Sequence, residues 1–185
     1  PDHTIVATGS SPSRPLIPGL DDVLTAEQIL RGEREAGQRV LILGGGLVGI
    51  EMAEHLALDN REVVVVELLE DTARDMEAIA KKMTAKRLQE LPVTIYTSTR
   101  LVRMDGGEAI VDAAEGGNER SIGCFDSVLV AVGHQPYDPL SKDLSAAGWP
   151  VTVIGDAYQP GQIFDATDAG RRAVEAVLRA TLESS

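Results

Sequence analysis

Val40-Leu41-Ile42-Leu43-Gly44-Gly45-Gly46-Leu47-Val48-Gly49 decides the fold: an apolar strand runs straight into Gly-x-Gly-x-x-Gly, and helical periodicity begins behind the glycines. Val48, Met52 and Leu56, with Gly49, Ala53 and Ala57 beside them, recur at the spacing of a helix face packed on a sheet. A second strand, Glu62 to Glu67, follows and ends in an acid 23 positions after Gly44. Strand, glycine turn, helix, strand and terminal acid together form the context of a dinucleotide-binding βαβ unit, which glycines alone would not establish. Each residue type has a physical reason. Gly44 permits the tight turn, Gly46 lets backbone approach a pyrophosphate with no Cβ in the way, and Gly49 lets the helix lie close to the sheet. The diphosphate would accept hydrogen bonds from the amides of Leu47 and Val48, aided by a helix dipole worth about 0.3 to 1 kcal/mol. Glu67 is the expected acceptor for the adenosine ribose. A carboxylate about 4 Å from a 2′-phosphate costs on the order of 1 to 4 kcal/mol, so the reading is NAD(H) over NADP(H). Glu70 and Asp71 push the same way, whereas Arg74 is a cation that could reach a phosphate. The competing reading of the same residues is a structural glycine turn and a solvated strand end.

Working outward, a second amphipathic helix is expected over Asp75 to Leu91, with Met76, Ile79, Met83 and Leu88 inward. Short strands near Val93 to Tyr96, Leu101 to Met104, Ala109 to Asp112 and Arg120 to Ile122 read as an antiparallel meander, and Ser127 to Val132 closes the block at Gly133. Before the block come a strand, Thr4 to Ala7, a proline-rich connector and a helix entry capped by Thr25 that ends near Gly32. After it come Val151 to Asp156 and a terminal helix with Ala173, Val174, Val177, Leu178 and Leu182 on one face. Ile5 to Gly9 and Leu129 to Gly133 share one design, an apolar strand ending in small residues, which makes Gly133 a candidate beside the cofactor. The expected fold is α/β, a Rossmann-type three-layer arrangement in which an NAD(H)-binding domain, 37–133, is inserted between 1–36 and 134–185.

A net charge of −12 without a basic patch argues against nucleic acid and anionic membrane surfaces as partners. The apolar runs are strand-sized, too short to span a bilayer. The single cysteine, Cys124, is expected to be a small core residue; it cannot form a redox-active Cys-x-x-Cys pair. With no basic-then-apolar leader, a reducing, cytoplasmic setting is expected. Pro1 is not an initiator and a strand begins almost at once, which suits a piece of a longer protein. His3, His55 and His134 lack partners at metal-ligand spacing and read as structural or solvent-facing, with His134 the one that could sit near a ring edge. No catalytic residue or metal ligand is assigned.

Ala7-Thr8-Gly9 and Val153-Ile154-Gly155-Asp156-Ala157, flanking the glycine unit, resemble the two-dinucleotide-binding flavoprotein reductases, in which an NAD(H) domain is inserted into an FAD domain. The resemblance covers the whole chain. It implies that Thr8 and Gly9 lie near FAD, that Gly155 allows its close approach and that Asp156 accepts a hydrogen bond from the ribityl chain. It also implies that Glu51 lies near the nicotinamide and flavin rings. Ala7-Thr8-Gly9-Ser10-Ser11-Pro12 with Ile17-Pro18-Gly19, and Gly155-Asp156-Ala157 with Ile163-Phe164-Asp165-Ala166-Thr167, are similar to a narrower branch. This is the 2,4-dienoyl-CoA reductase and trimethylamine dehydrogenase branch of NADH:flavin oxidoreductases, related to Old Yellow Enzyme. That likeness implies an upstream barrel with FMN and an iron–sulfur cluster, and a first FAD-binding βαβ unit ahead of residue 1. The FAD unit here is then incomplete. The function so implied is transfer of a hydride from NADH to FAD and of electrons onward to another domain, with little turnover by the chain alone. The alternative is a non-catalytic module that holds ADP.

Overall fold

In chain order the computed structural model contains β1 (Thr4–Val6), β2 (Ser10–Pro12), α1 (Ala26–Leu30), β3 (Arg39–Leu43), α2 (Leu47–Leu58), β4 (Glu62–Val66), α3 (Ala78–Gln89), β5 (Val93–Tyr96), β6 (Thr99–Asp105), β7 (Glu108–Ala113), β8 (Arg120–Cys124), β9 (Ser127–Val130), β10 (His134–Pro136), α4 (Ser141–Ala146), β11 (Val151–Val153) and α5 (Ile163–Glu183), with a 3-10 turn at Gly155–Ala157. It describes residues 2–183, and side chains as far as residue 180. Two compact units result, Pro1–Ser11 with His134–Ser185, and Pro12–Gly133.

The Pro12–Gly133 unit is built on a parallel sheet of order β5-β4-β3-β9. Because side chains alternate along a strand, Val40, Ile42, Val63, Val65 and Leu129 meet Ile50, Met52, Ala53, Leu56 and Ala57 of α2 on one face. On the other face Leu41, Leu43, Val64, Val66, Val128 and Val130 meet Leu101, Ala109 and Val111 of the antiparallel sheet β6-β7-β8 and Phe125 just after it. Helices, parallel sheet and antiparallel sheet are the three layers. Burial of both faces is why β3 and β4 read as unbroken apolar runs rather than alternating ones.

Several local expectations are corrected. Val93–Tyr96 is not part of the meander: it pairs parallel with β4, from Val63↔Val93 to Val66↔Tyr96, as the strand returned by α3. Four residues carry no signal for strand direction. In α3, Ile79 and Met83 are exposed, and the inward positions are Thr84 and Leu88. The helix starts at Ala78 because the Glu77 carboxylate accepts from Ile79 N at 3.0 Å and Ala80 N at 3.1 Å, contacts that also lower its pKa. Residues 12–36 pack with the middle unit, since Leu24 bridges in parallel to Leu129 and both Val23 and Leu24 are buried. Thr25 does cap α1, in a capping box with Gln28. Cys124 is exposed at the end of β8 rather than in the core.

Glu54 of α2 and Arg87 of α3 form a two-pronged ion pair that joins the helices. The hydrogen bond from Arg87 holds the Glu54 carboxyl below its ordinary pKa, so the pair stabilises the fold above the carboxylate range and is lost as pH falls through it. Glu54→Gln is therefore expected to lower the thermal midpoint at pH 7 and to leave it unchanged near about pH 3, checked by melts at the two pH values.

In the other unit β1 pairs parallel with β11, Thr4↔Val151 to Val6↔Val153, and β2 is hydrogen-bonded to β10. α5 turns inward a stripe of small residues: Gly170 lies 3.9 Å from Ile154 Cδ1 by its would-be Cβ, Ala166 faces Gly155, and Ala173 is buried. Val174 and Leu178, expected on the inner face, are half or more exposed; the side chain of Leu182 lies outside the described residues. Val6, Ala157 and Ala173 are the buried hydrophobic residues described in this unit. β2, β10 and α4 have three to six residues each, too short for a periodic pattern. Among the described residues no helix is long and apolar enough to cross a membrane.

Candidate functional site

The site is assembled where β3 gives way to α2. Gly44 N donates to Val66 O at 2.9 Å, and Ala131 N donates to Leu43 O at 2.8 Å, so the turn starts wedged between the ends of β4 and β9. Gly44 adopts φ +104°, and a Cβ there would stand 2.5 Å from Ala131 O, so conformation and space both require glycine. Gly49, one turn into α2, would place a Cβ 1.9 Å from Gly44 O. Its missing side chain lets the helix lie on the strand end.

Gly46 differs. Its φ of −67° and ψ of −171° are ordinary for any residue, and a Cβ built on it would meet nothing within 4 Å. It is the N-cap of a 12-residue helix and supplies no side-chain acceptor to the first-turn amides. Neither backbone strain nor packing within the chain accounts for glycine here. The first amides of α2 therefore face open space with the positive end of the helix dipole behind them, an arrangement suited to an anion.

Glu67 follows β4 and is buried to 9 % relative exposure. Its Oε2 accepts from Gly45 N at 2.5 Å and its Oε1 from Leu69 N at 2.8 Å. Each oxygen keeps acceptor capacity for a further donor such as a ribose hydroxyl. Leu47, Val48, Leu68, Leu69 and Val132, all large and apolar, are exposed by 40 % or more at the ends of β3, β4 and β9. Gly133, at φ +96°, holds the loop beyond β9 through Ser13 N, which donates to its carbonyl at 2.9 Å. Glu51 is exposed on α2. Asp71 pairs with Lys81 at 2.6 Å, and that hydrogen bond lowers its pKa; Arg74 is exposed.

Thr8, Gly9, Gly155 and Asp156 belong to the other unit. Thr8 Oγ1 donates to Tyr137 O at 2.5 Å, and Tyr137 N donates to Gly9 O at 3.0 Å. Asp156 accepts from Ser10 Oγ at 3.2 Å and from Gly161 N at 3.2 Å, which fixes its carboxylate beside the β2 strand. Gly155 has φ +59°. The candidates thus fall into two groups: Gly44, Gly46, Leu47, Val48, Gly49, Glu51, Glu67 and Gly133 in one unit, and these four in the other. His3 Nε2 is hydrogen-bonded to Thr152 Oγ1 at 2.9 Å, while His55 and His134 are exposed. Sequence reasoning missed Gly45, Thr72 and Ala73, which pack against one another behind the turn. The third consecutive glycine was the visible signal; Thr72 and Ala73 gave none.

Residues 1–157 match a family model described as pyridine nucleotide-disulphide oxidoreductase. The chain is similar to an NADH oxidase from Thermoanaerobacter brockii, 34 % identical over 92 % of this chain and 27 % of that protein. It is similar to a cinnamate reductase from Clostridium sporogenes, 44 % identical over 88 % of this chain and 24 % of that protein. Histamine dehydrogenase from Rhizobium sp. 4-9 superposes with a TM-score of 0.81 at 26 % identity, over 93 % of this chain and 30 % of that one. The narrower likeness expected from the sequence, to the dienoyl-CoA reductase and amine dehydrogenase branch, agrees with these relatives. The chain spans about a quarter of the length of the curated relatives it matches.

Proposed function

From the family to which this chain belongs, the pyridine nucleotide-disulphide oxidoreductases, we propose that its 37–133 region binds NAD(H) at the glycine turn within a flavin-dependent oxidoreductase. Gly46 carries this reading: it is a glycine that the fold does not need and a diphosphate would. The first amides of α2, at Leu47 and Val48, donate to the phosphates, and Glu67 accepts from the adenosine ribose. Leu68 and Leu69 offer apolar contact to adenine. Glu51, Gly133 and Val132 lie toward the nicotinamide, where no side chain of this chain needs to exchange a proton.

Thr8, Gly9, Gly155 and Asp156 form the chain's share of an FAD site, with Asp156 held by Ser10 and Gly161 to accept from the ribityl chain. When both are bound, the cofactors supply the chemistry, a hydride passing from nicotinamide to flavin; the protein positions them and excludes water. Among the described residues the flanking unit buries few hydrophobic side chains, a thin core for a domain that must grip a flavin, and a further part of the parent chain would complete it. That part is the first FAD-binding βαβ unit, and ahead of it the parent chain would carry the barrel with FMN and an iron–sulfur cluster to which electrons would pass, in a cytoplasmic enzyme.

Calorimetric titration of the chain with NADH, NADPH and ADP tests the proposal. NADH is expected to bind at least about tenfold more tightly than NADPH, a difference of about 1.4 kcal/mol. ADP as tight as NADH would favour a non-catalytic nucleotide module, and no binding of any of the three would refute the site.

A further inference from the structure

Gly45, the middle glycine, has no part in the reasons given for Gly44, Gly46 and Gly49. A Cβ on it would nevertheless stand 2.8 Å from Thr72 Cγ2 and 3.0 Å from Glu67 Cβ. Its N–H donates to Glu67 Oε2, and its carbonyl accepts from Ala73 N at 2.8 Å. Ala73 has φ +45°, a left-handed conformation that residues with a Cβ rarely adopt, yet it is 3 % exposed and its carbonyl accepts from Met76 N at 3.0 Å. Its surroundings hold it there. The methyl belongs to the core that includes Ile50 and Leu88, and the amide is committed to the glycine turn.

The same segment reaches Glu67 from the other side. Leu69 N donates to Glu67 Oε1, and Ser98 N donates to Leu69 O at 2.8 Å. Backbone from two segments therefore grips both carboxylate oxygens, and the Thr72–Ala73 contact sets how far apart those segments stand. A carboxylate on a loose strand end can swing away from an incoming phosphate at small cost. One held at both oxygens cannot, and repulsion then becomes discrimination.

We propose that Thr72 and Ala73 are positioning residues that set the preference for NADH over NADPH by clamping the segment after β4 against Gly45. The proposal rests on the NAD(H) reading of the glycine turn. Its readout is the ratio of the NADPH and NADH dissociation constants of the 185-residue chain, measured by calorimetry. Gly45→Ala drives a Cβ into the clamp and is expected to reduce that ratio about tenfold. Adding Thr72→Ser, which removes the methyl the new Cβ would strike, is expected to restore part of it. In a Glu67→Gln background, Gly45→Ala is expected to leave the ratio unchanged, because the clamp acts through that carboxylate.

Should Gly45→Ala fail to fold by circular dichroism, Thr72→Ser alone decides, with a reduction of about threefold expected. A folded Gly45→Ala or Thr72→Ser protein with the parent ratio overturns the clamp while leaving the coenzyme site intact. So does a Gly45→Ala effect that persists without the Glu67 charge. A parent chain that binds neither dinucleotide overturns the underlying reading, and the clamp with it.

Discussion

Gly49→Ala is expected to destabilise the chain by about 3 kcal/mol, the upper range for overpacking a close-packed contact. The added Cβ would fall 1.9 Å from Gly44 O and 3.0 Å from Gly44 C. Both partners are backbone, so no rotamer relieves the clash, and α2 must lift from the end of β3. That helix buries Ile50, Met52, Ala53, Leu56 and Ala57 against Val40, Ile42 and Val65, so a small displacement is felt along its whole inner face. Urea unfolding is the measurement: the midpoint should fall with the slope unchanged. NADH affinity should fall by at least about tenfold as well, since the shift moves the Leu47 and Val48 amides away from the place proposed for the diphosphate. An unchanged midpoint would mean that α2 does not sit on the glycine turn as described.

The glycines also mark how far the sequence could be read. Gly44 and Gly49 are demanded by the chain's own backbone, and strand-then-helix periodicity around them placed β3, α2 and β4 to within a residue or two. β5 and the inner face of α3 are not legible in the sequence, for a different reason. An edge strand of four residues and a helix capped by Glu77 are fixed by what they pack on, and neither carries a long enough pattern to say so. The segment 12–36 reads as part of the flanking unit because the periodic pattern of the middle block begins only with the β3 strand. Val23 and Leu24, a short apolar pair, are what draw it onto the edge of the β9 strand. Of the candidate site, the residues that would touch a diphosphate were legible, because their types follow from the ligand. The amides that hold Glu67 are not, because a hydrogen bond from a backbone N–H, such as that of Gly45 or Leu69, leaves no mark on residue type.

Gly46→Asp separates what the fold needs from what the ligand needs. Aspartate is among the preferred N-cap residues, the φ and ψ at position 46 suit it, and the space around its Cβ is open. Its carboxylate would accept from the first-turn amides and face the positive end of the α2 dipole, so the folded chain should gain about 0.5 kcal/mol. The same carboxylate would occupy the place proposed for the diphosphate and repel it. At about 4 Å that repulsion is on the order of 1 to 4 kcal/mol per pair of charges, and loss of the amides adds to it, so NADH affinity should fall at least about a hundredfold. Thermal melts and calorimetry on the same preparations check both halves. A variant that is less stable than the parent would show that Gly46 serves the fold after all. A more stable variant that still binds NADH as the parent does would move the coenzyme away from the N-terminus of α2. Stability gained together with binding lost is the outcome expected of an anion site at this turn, because the carboxylate that caps the helix takes the place and the amides of the ligand.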